Sequence, residues 1–189
     1  MSFVTSTLPG LVVGVIVAIF SVWLTEKSFL RRHSNLVNGG VEGRTQLSQY
    51  VWRIKIVNEG KYPARNVRAD VEKIESDGIP RKEIIVSPLN WMHNPTDLFT
   101  RDIYPNQTAY LDVCIANLTP NYDESFKLAN PHVGSLDESS TIGKGLTKLT
   151  IGMYQESGQF KKMEVEIDWG GMLDAKSIKK TKVSIKKFS

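Results

Sequence analysis

Apolar residues are distributed along this chain in two ways. From Met1 to Thr25 there is no charged side chain, and Leu8–Leu24 is dominated by Val, Ile, Leu, Phe and Ala. After Glu26 the apolar residues alternate with polar ones, in short runs separated by Gly, Pro, Asn and Asp. A hydrocarbon core of roughly 30 Å is crossed by about 20 helical residues. The first run therefore predicts one N-terminal transmembrane helix, carried by residues such as Leu8, Val12, Val15, Ile19 and Trp23. Pro9 suits a first helical turn, where its missing N–H is not needed. Trp23 falls where an interfacial ring belongs. Gly10 and Gly14 are four apart, the spacing of small-residue packing faces. A secretory signal would need a positive n-region and a small-residue cleavage site. No Lys or Arg precedes the run, and Ser21-Val22-Trp23-Leu24 is a poor cleavage site. The basic flank Lys27, Arg31 and Arg32 follows it, and such residues favour the cytoplasmic side. The expected topology is N-terminus outside and Glu26–Ser189 inside, with the reverse as the alternative.

The remainder reads as strands. Tyr50, Trp52, Ile54 and Ile56 alternate with Val51, Arg53, Lys55 and Val57, a half-buried strand with its bulky face inward. Val67, Ala69 and Val71 oppose Arg68, Asp70 and Glu72 in a second. "KEIIVSPL" predicts a short third strand ending at Pro88. In "TAYLDVCIAN", Leu111, Val113 and Ile115 alternate with Tyr110, Asp112 and Cys114. Two strands flank a hairpin turn at Glu156-Ser157-Gly158, and "KTKVSIKKF" predicts a last one with lysines outward. Residues 90–106 and 118–146 read as irregular, the second hiding either a short helix around "DESFKLAN" or a mobile loop.

About seven short strands and no long amphipathic helix predict a mainly β chain: a transmembrane helix followed by an immunoglobulin-like antiparallel β-sandwich. The expected boundaries are 1–32 for the anchor and basic flank, 33–45 for a glycine-rich linker and 46–189 for the sandwich.

Charge alters this picture little. All 24 Lys and Arg and all 20 Asp and Glu follow the apolar run, for a net +4, which is mild for a nucleic-acid binder. Cys114 is the single cysteine, so no intramolecular disulfide forms, and it reads as a structural thiol.

"RIKIVNEGKYPARNVRADVE", Arg53–Glu72, resembles the first hairpin of CARDB-like and related immunoglobulin-like domains of prokaryotes: strand, Asn-x-Gly, Ala, valine-rich strand. Asn58, Gly60, Ala64 and Val67 carry it. Gly60 can take a positive φ after the first strand, and Ala64 leaves room where the hairpin crosses the core. "SPLNW" and "DIYPNQTAYLDV" extend a wider similarity to small uncharacterised membrane-anchored prokaryotic proteins with one such sandwich. The resemblance implies binding or scaffolding, implies no catalytic residue, and places CARDB-like domains outside the cytoplasm, against the basic flank.

Candidate chemistry is sparse. His33, His93 and His132 have no metal-ligand spacing with Cys114, and neither a phosphate-binding loop nor a nucleophile elbow is present. No cofactor, metal or small-molecule substrate is expected, and the chain reads as a non-enzyme. Two clusters remain. Trp91, Met92, Leu98, Phe99 and Tyr104 either close the sandwich or form a partner patch. Lys176, Lys179, Lys180, Lys182, Lys186 and Lys187 form a basic strand, read as a solvated edge with lipid or nucleic-acid contact as alternatives. The expected function is a membrane-anchored binding or scaffold protein, an accessory subunit contacting the bilayer and a protein partner. The rivals are an extracytoplasmic adhesion or envelope module, a hydrolytic or metal-dependent enzyme, and a nucleic-acid-linked membrane effector.

Overall fold

The computed structural model describes residues 7–30, 33–46, 48–77, 79–80, 87–92, 99–118, 126–129, 141–172 and 176–189, with helix side chains described for 13–24. The chain forms two units, Met1–His33 and Ser34–Ser189.

The first unit is a 24-residue helix, α1 (Thr7–Leu30). All its described side chains, from Val13 to Leu24, are exposed, so it is apolar on every side. Among the described residues no helix is long and apolar enough to cross a membrane. Those side chains cover half of α1. The side chains of Leu8, Val12 and Lys27, and the whole of Arg31 and Arg32, lie outside the described residues.

The second unit is a β-sandwich. Its strands are β1 (Leu36–Gln46), β2 (Gln49–Asn58), β3 (Ala64–Ser76), β4 (Ile79–Pro80), β5 (Ser87–Pro88), β6 (Thr100–Ile103), β7 (Thr108–Asn117), β8 (Phe126–Leu128), β9 (Gly145–Tyr154), β10 (Phe160–Trp169) and β11 (Lys182–Phe188). A four-stranded sheet runs β1-β2-β7-β8. A larger sheet runs β11-β10-β9-β3-β4, with β5 and β6 also paired to β3. All the pairings are antiparallel. One core joins the inner faces, with Trp52, Ile54, Ile56 and Leu111 from the small sheet and Val67, Leu149, Ile151, Val165 and Ile167 from the large one. An aromatic series links the sheets. Trp52 meets Tyr50 edge-on at 4.6 Å and Phe126 at a tilt at 5.1 Å, and Phe126 meets Trp169 edge-on at 5.1 Å.

Among the described residues there are nine strands longer than two residues, against about seven expected. The segment expected to be a linker is β1. Its glycines belong to the strand, where a register shift between Asn38 and Val41 places Gly40 at φ +105, a conformation open to glycine. The irregular segment 90–106 holds β6. The segment 118–146 holds β8, a strand where a helix was the alternative, because Phe126 and Leu128 bury beside β7. The expected strand "KEIIVSPL" lies mostly outside the described residues; Ser87 and Pro88 pair with β3.

Two bulges override strict alternation. In β7, Trp52 faces Cys114 while Arg53 faces Asp112, so Val113 is the extra residue. Val113 and Cys114 are consecutively buried, and Ile115, expected inward, is half-buried. In β3, Glu72 is the extra residue, and the buried series passes from Val71 to Ile74.

Candidate functional site

The stretch from Arg53 to Glu72 is not a hairpin. β2 belongs to the small sheet and β3 to the large one, so the chain crosses between sheets at Asn58–Pro63. Asn58 organises the crossing. Its fully buried side chain donates from Nδ2 to Tyr62 O at 2.8 Å and to Ile103 O at 2.9 Å. Its Oδ1 accepts from the N–H groups of Gly60 at 3.0 Å and Asn35 at 3.1 Å. Its main-chain N–H donates to Gln107 O, and its carbonyl accepts from the Asn106 N–H. A buried amide with this many partners repays its desolvation. Gly60 does not use the positive φ open to it. It is required because an added Cβ would lie 2.4 Å from Asn35 N and 2.9 Å from Ser34 Cα. The Asn-x-Gly motif therefore fastens the first residues of the domain to the sheet crossing.

The adjoining hairpin is fastened too. The Ser34 hydroxyl lies 2.6 Å from Gln155 Oε1 and 2.9 Å from Gln159 Oε1, on either side of the β9–β10 turn. Tyr62, Tyr104, Tyr154 and Phe160, which neighbour these bonds in the chain, are exposed.

The described members of the expected partner patch differ in exposure. Trp91 is buried at 1% exposure. Its segment closes one side of the sandwich: Leu89 N–H donates to Ala69 O in the large sheet, and Met92 N–H to Tyr110 O in the small one. Met92 and Phe99 are half-buried, Tyr104 is exposed, and Leu98 lies outside the described residues. The Arg101 guanidinium donates to Met92 O.

The six lysines are all exposed, but they do not share one strand. Lys182, Lys186 and Lys187 lie on β11; Lys179 and Lys180 lie in a 3₁₀ turn whose Ile178 is buried, and Lys176 precedes it. Acids of β10 stand beside the strand lysines: Glu164 faces Lys187, Asp168 faces Lys182, and Lys186 lies 3.0 Å from Glu166. Lys186, with Lys148, holds the Glu166 carboxyl below the usual glutamate range.

Two further polar sets escaped the sequence reading. Arg53, expected on a solvated face, is buried; its Nε lies 2.6 Å from Asp112, and a second nitrogen donates to Gln46 at 2.7 Å. On the outer face of the large sheet Tyr154 donates to Glu72 at 2.6 Å, with Lys162 at 3.5 Å from the same carboxylate. That hydrogen bond, first among its causes, pushes the Tyr154 hydroxyl up to about 12; burial and the charges of Glu72 and Asp70 add, and Arg68 opposes.

Cys114 is fully buried. Burial pushes its thiol well above the ordinary value and the Asp112 charge adds to this, so it is a packing residue rather than a nucleophile. Among the described residues no group of His, Cys, Asp and Glu could hold a metal ion. His33 is half-buried, and His93 and His132 lie outside the described residues.

No protein-family model matches this chain, and no curated protein proved similar to it.

Proposed function

We propose that the chain is a single-pass membrane-anchored binding or scaffold protein, an accessory subunit that holds a protein partner at the membrane. The observation that carries the reading is α1, whose described side chains are apolar and exposed all round, joined to one β-sandwich. A helix apolar on every side is at home in lipid or deep in a large protein. Its 24 residues are about 36 Å long at 1.5 Å per residue, enough for a hydrocarbon core of roughly 30 Å. Lys27, Arg31 and Arg32 favour a cytoplasmic domain, whose two antiparallel sheets we read as immunoglobulin-like. The CARDB-like resemblance of residues 53–72 favours the opposite side and is the second reading.

The test is extraction. The full chain is expected to stay in the membrane pellet at alkaline pH, and a variant lacking residues 8–24 to be released; release of both overturns the anchor. Sidedness needs an introduced cysteine, because an impermeant reagent would not reach buried Cys114 on either side. Met172→Cys, at an exposed position, is expected to react only after permeabilisation. Mild-detergent extraction should then recover a defined partner in stoichiometric amount; a homo-oligomer alone would overturn the subunit role.

A further inference from the structure

Asn38 stands apart from the other asparagines in its chemistry. It precedes Gly39, and this is the only Asn-Gly pair in the sequence. The pair lies in β1, an edge strand hydrogen-bonded on one side only. Asn38 faces Ile56 and Val41 faces Ile54, so Gly39 and Gly40 together stand against Lys55. Such a bulge leaves its extra residue outside the ladder. Asn38 and Gly39 are both exposed, so water reaches them. The Asn38 Oδ1 accepts from the Gly40 N–H at 2.7 Å. The ring closed by that bond contains both Cγ of Asn38 and the nitrogen of Gly39. The side-chain carbonyl is thereby folded back beside the main-chain nitrogen that can attack it. Gly39 puts no side chain in the way.

We propose that Asn38 is a self-modification site, at which the Gly39 nitrogen displaces the side-chain nitrogen and water completes the conversion to aspartate and isoaspartate. The Gly39 N–H gives its proton to hydroxide, and the nitrogen forms a bond to Cγ. The carbonyl electrons move onto Oδ1, where the Gly40 N–H faces the developing charge as a donor in an oxyanion hole does. The Cγ–Nδ2 bond then breaks, and Nδ2 leaves as ammonia with a proton from water. A five-membered succinimide remains. Water adding at Cγ gives aspartate, with the main chain restored. Water adding at the main-chain carbonyl of residue 38 gives isoaspartate, with the chain running through Cγ. The net change is one amide and one water to one carboxylate and one ammonium, with no oxidant or reductant. Either product puts a negative charge on an edge strand, where charge guards against pairing with other chains. The isoaspartyl form also adds one main-chain atom, at a point where the register is already broken.

Asn58 and Asn66 lack this set. The Asn58 amide is buried and engaged at both ends, and Glu59 follows it. Asn66 donates its amide nitrogen to Glu156 and precedes β-branched Val67.

The test follows the full chain in mild detergent and mildly alkaline buffer, folded or unfolded in guanidinium, by mass spectrometry of the peptide spanning residues 33–44. Asn38 should gain the mass difference between O and NH at a rate within a few-fold of the unfolded chain. Isoaspartate should be the larger product, and Asn35 in the same peptide should stay an amide. Conversion an order of magnitude slower in the folded chain would show that the bulge protects Asn38 and would overturn the proposal. Aspartate without isoaspartate would mean direct hydrolysis, and Asn35 converting as fast as Asn38 would remove the part played by the two glycines; either result overturns it. Gly39→Ala should slow conversion by an order of magnitude. A Cβ at position 39 meets Lys55 and Val57 at 3.0 Å, so the variant is also followed in guanidinium, where packing is gone and the slowing should persist. An unchanged rate there sinks the cyclic route.

Discussion

Arg53 and Glu166 are both ion-paired side chains on the outward side of a sheet, and their surroundings make them opposites. The Arg53–Asp112 pair has side chains 5% and 15% exposed at 2.6 Å. Glu166 stands with Lys186 and Lys148, which are 52% and 49% exposed. Charges taken out of water lose their hydration and are repaid only through their partners, so removing one partner strands the other. Charges left in water lose little and gain little. A similar contact is thus structural on the small sheet and contributes little to stability on the large one.

The sharpest break is Asp112→Ala, which leaves the buried guanidinium with Gln46 as its remaining partner. It should cost about 3–5 kcal/mol in urea unfolding. Replacing both partners, Arg53→Met with Asp112→Leu, should return stability to within about 1 kcal/mol of the parent or above it. A double variant as unstable as Asp112→Ala would show that the pair contributes more than mutual compensation. Next comes Asn58→Ala, the neutral counterpart. It orphans two N–H groups and two carbonyls and should cost about 3 kcal/mol, with an unchanged urea midpoint as the contrary result. A smaller effect is spectroscopic. Ultraviolet titration should show a tyrosine step near 12 that disappears in Tyr154→Phe and moves down in Glu72→Gln. Because this folded-state value is raised, the associated stabilisation is complete below the unfolded tyrosine value and is lost as pH rises through about 12. Smallest is Glu166→Gln, expected to leave the neutral-pH midpoint unmoved. Its carboxyl is depressed, so whatever it contributes is present above the ordinary glutamate value and fades as pH falls through the lowered one. A parent and variant that differ at neutral pH would put Glu166 in the same class as Arg53.

The period-two runs located β2, β3, β7, β9, β10 and β11 because their inner faces carry large aliphatics. They did not show where the period slips. Nothing local in "DVCIAN" marks Val113 as an extra residue; the shift appears only when Trp52 and Arg53 are set against Cys114 and Asp112. Arg53 likewise looks solvated until its partners, Asp112 and Gln46, arrive from two other strands. Trp91 and Phe126 sit in polar, proline-marked stretches, and their burial depends on contacts distant in sequence. Asn58 and Gly60 were legible as a turn. Their role was not, since it depends on Ser34 and Asn35 lying against Gly60.

The attachment at Ser34 has a mechanical consequence. Were α1 the anchor proposed above, tension through it would enter the sandwich at Ser34 and Asn35, immediately ahead of β1, an edge strand. Pulled from its end, such a strand would open one hydrogen bond after another. Here Ser34 is held by Gln155 and Gln159 beside the large sheet. Asn35 is held by the Asn58 side chain and the Glu59 N–H beside the small one. Such a load would be divided between both sheets before β1 began to peel.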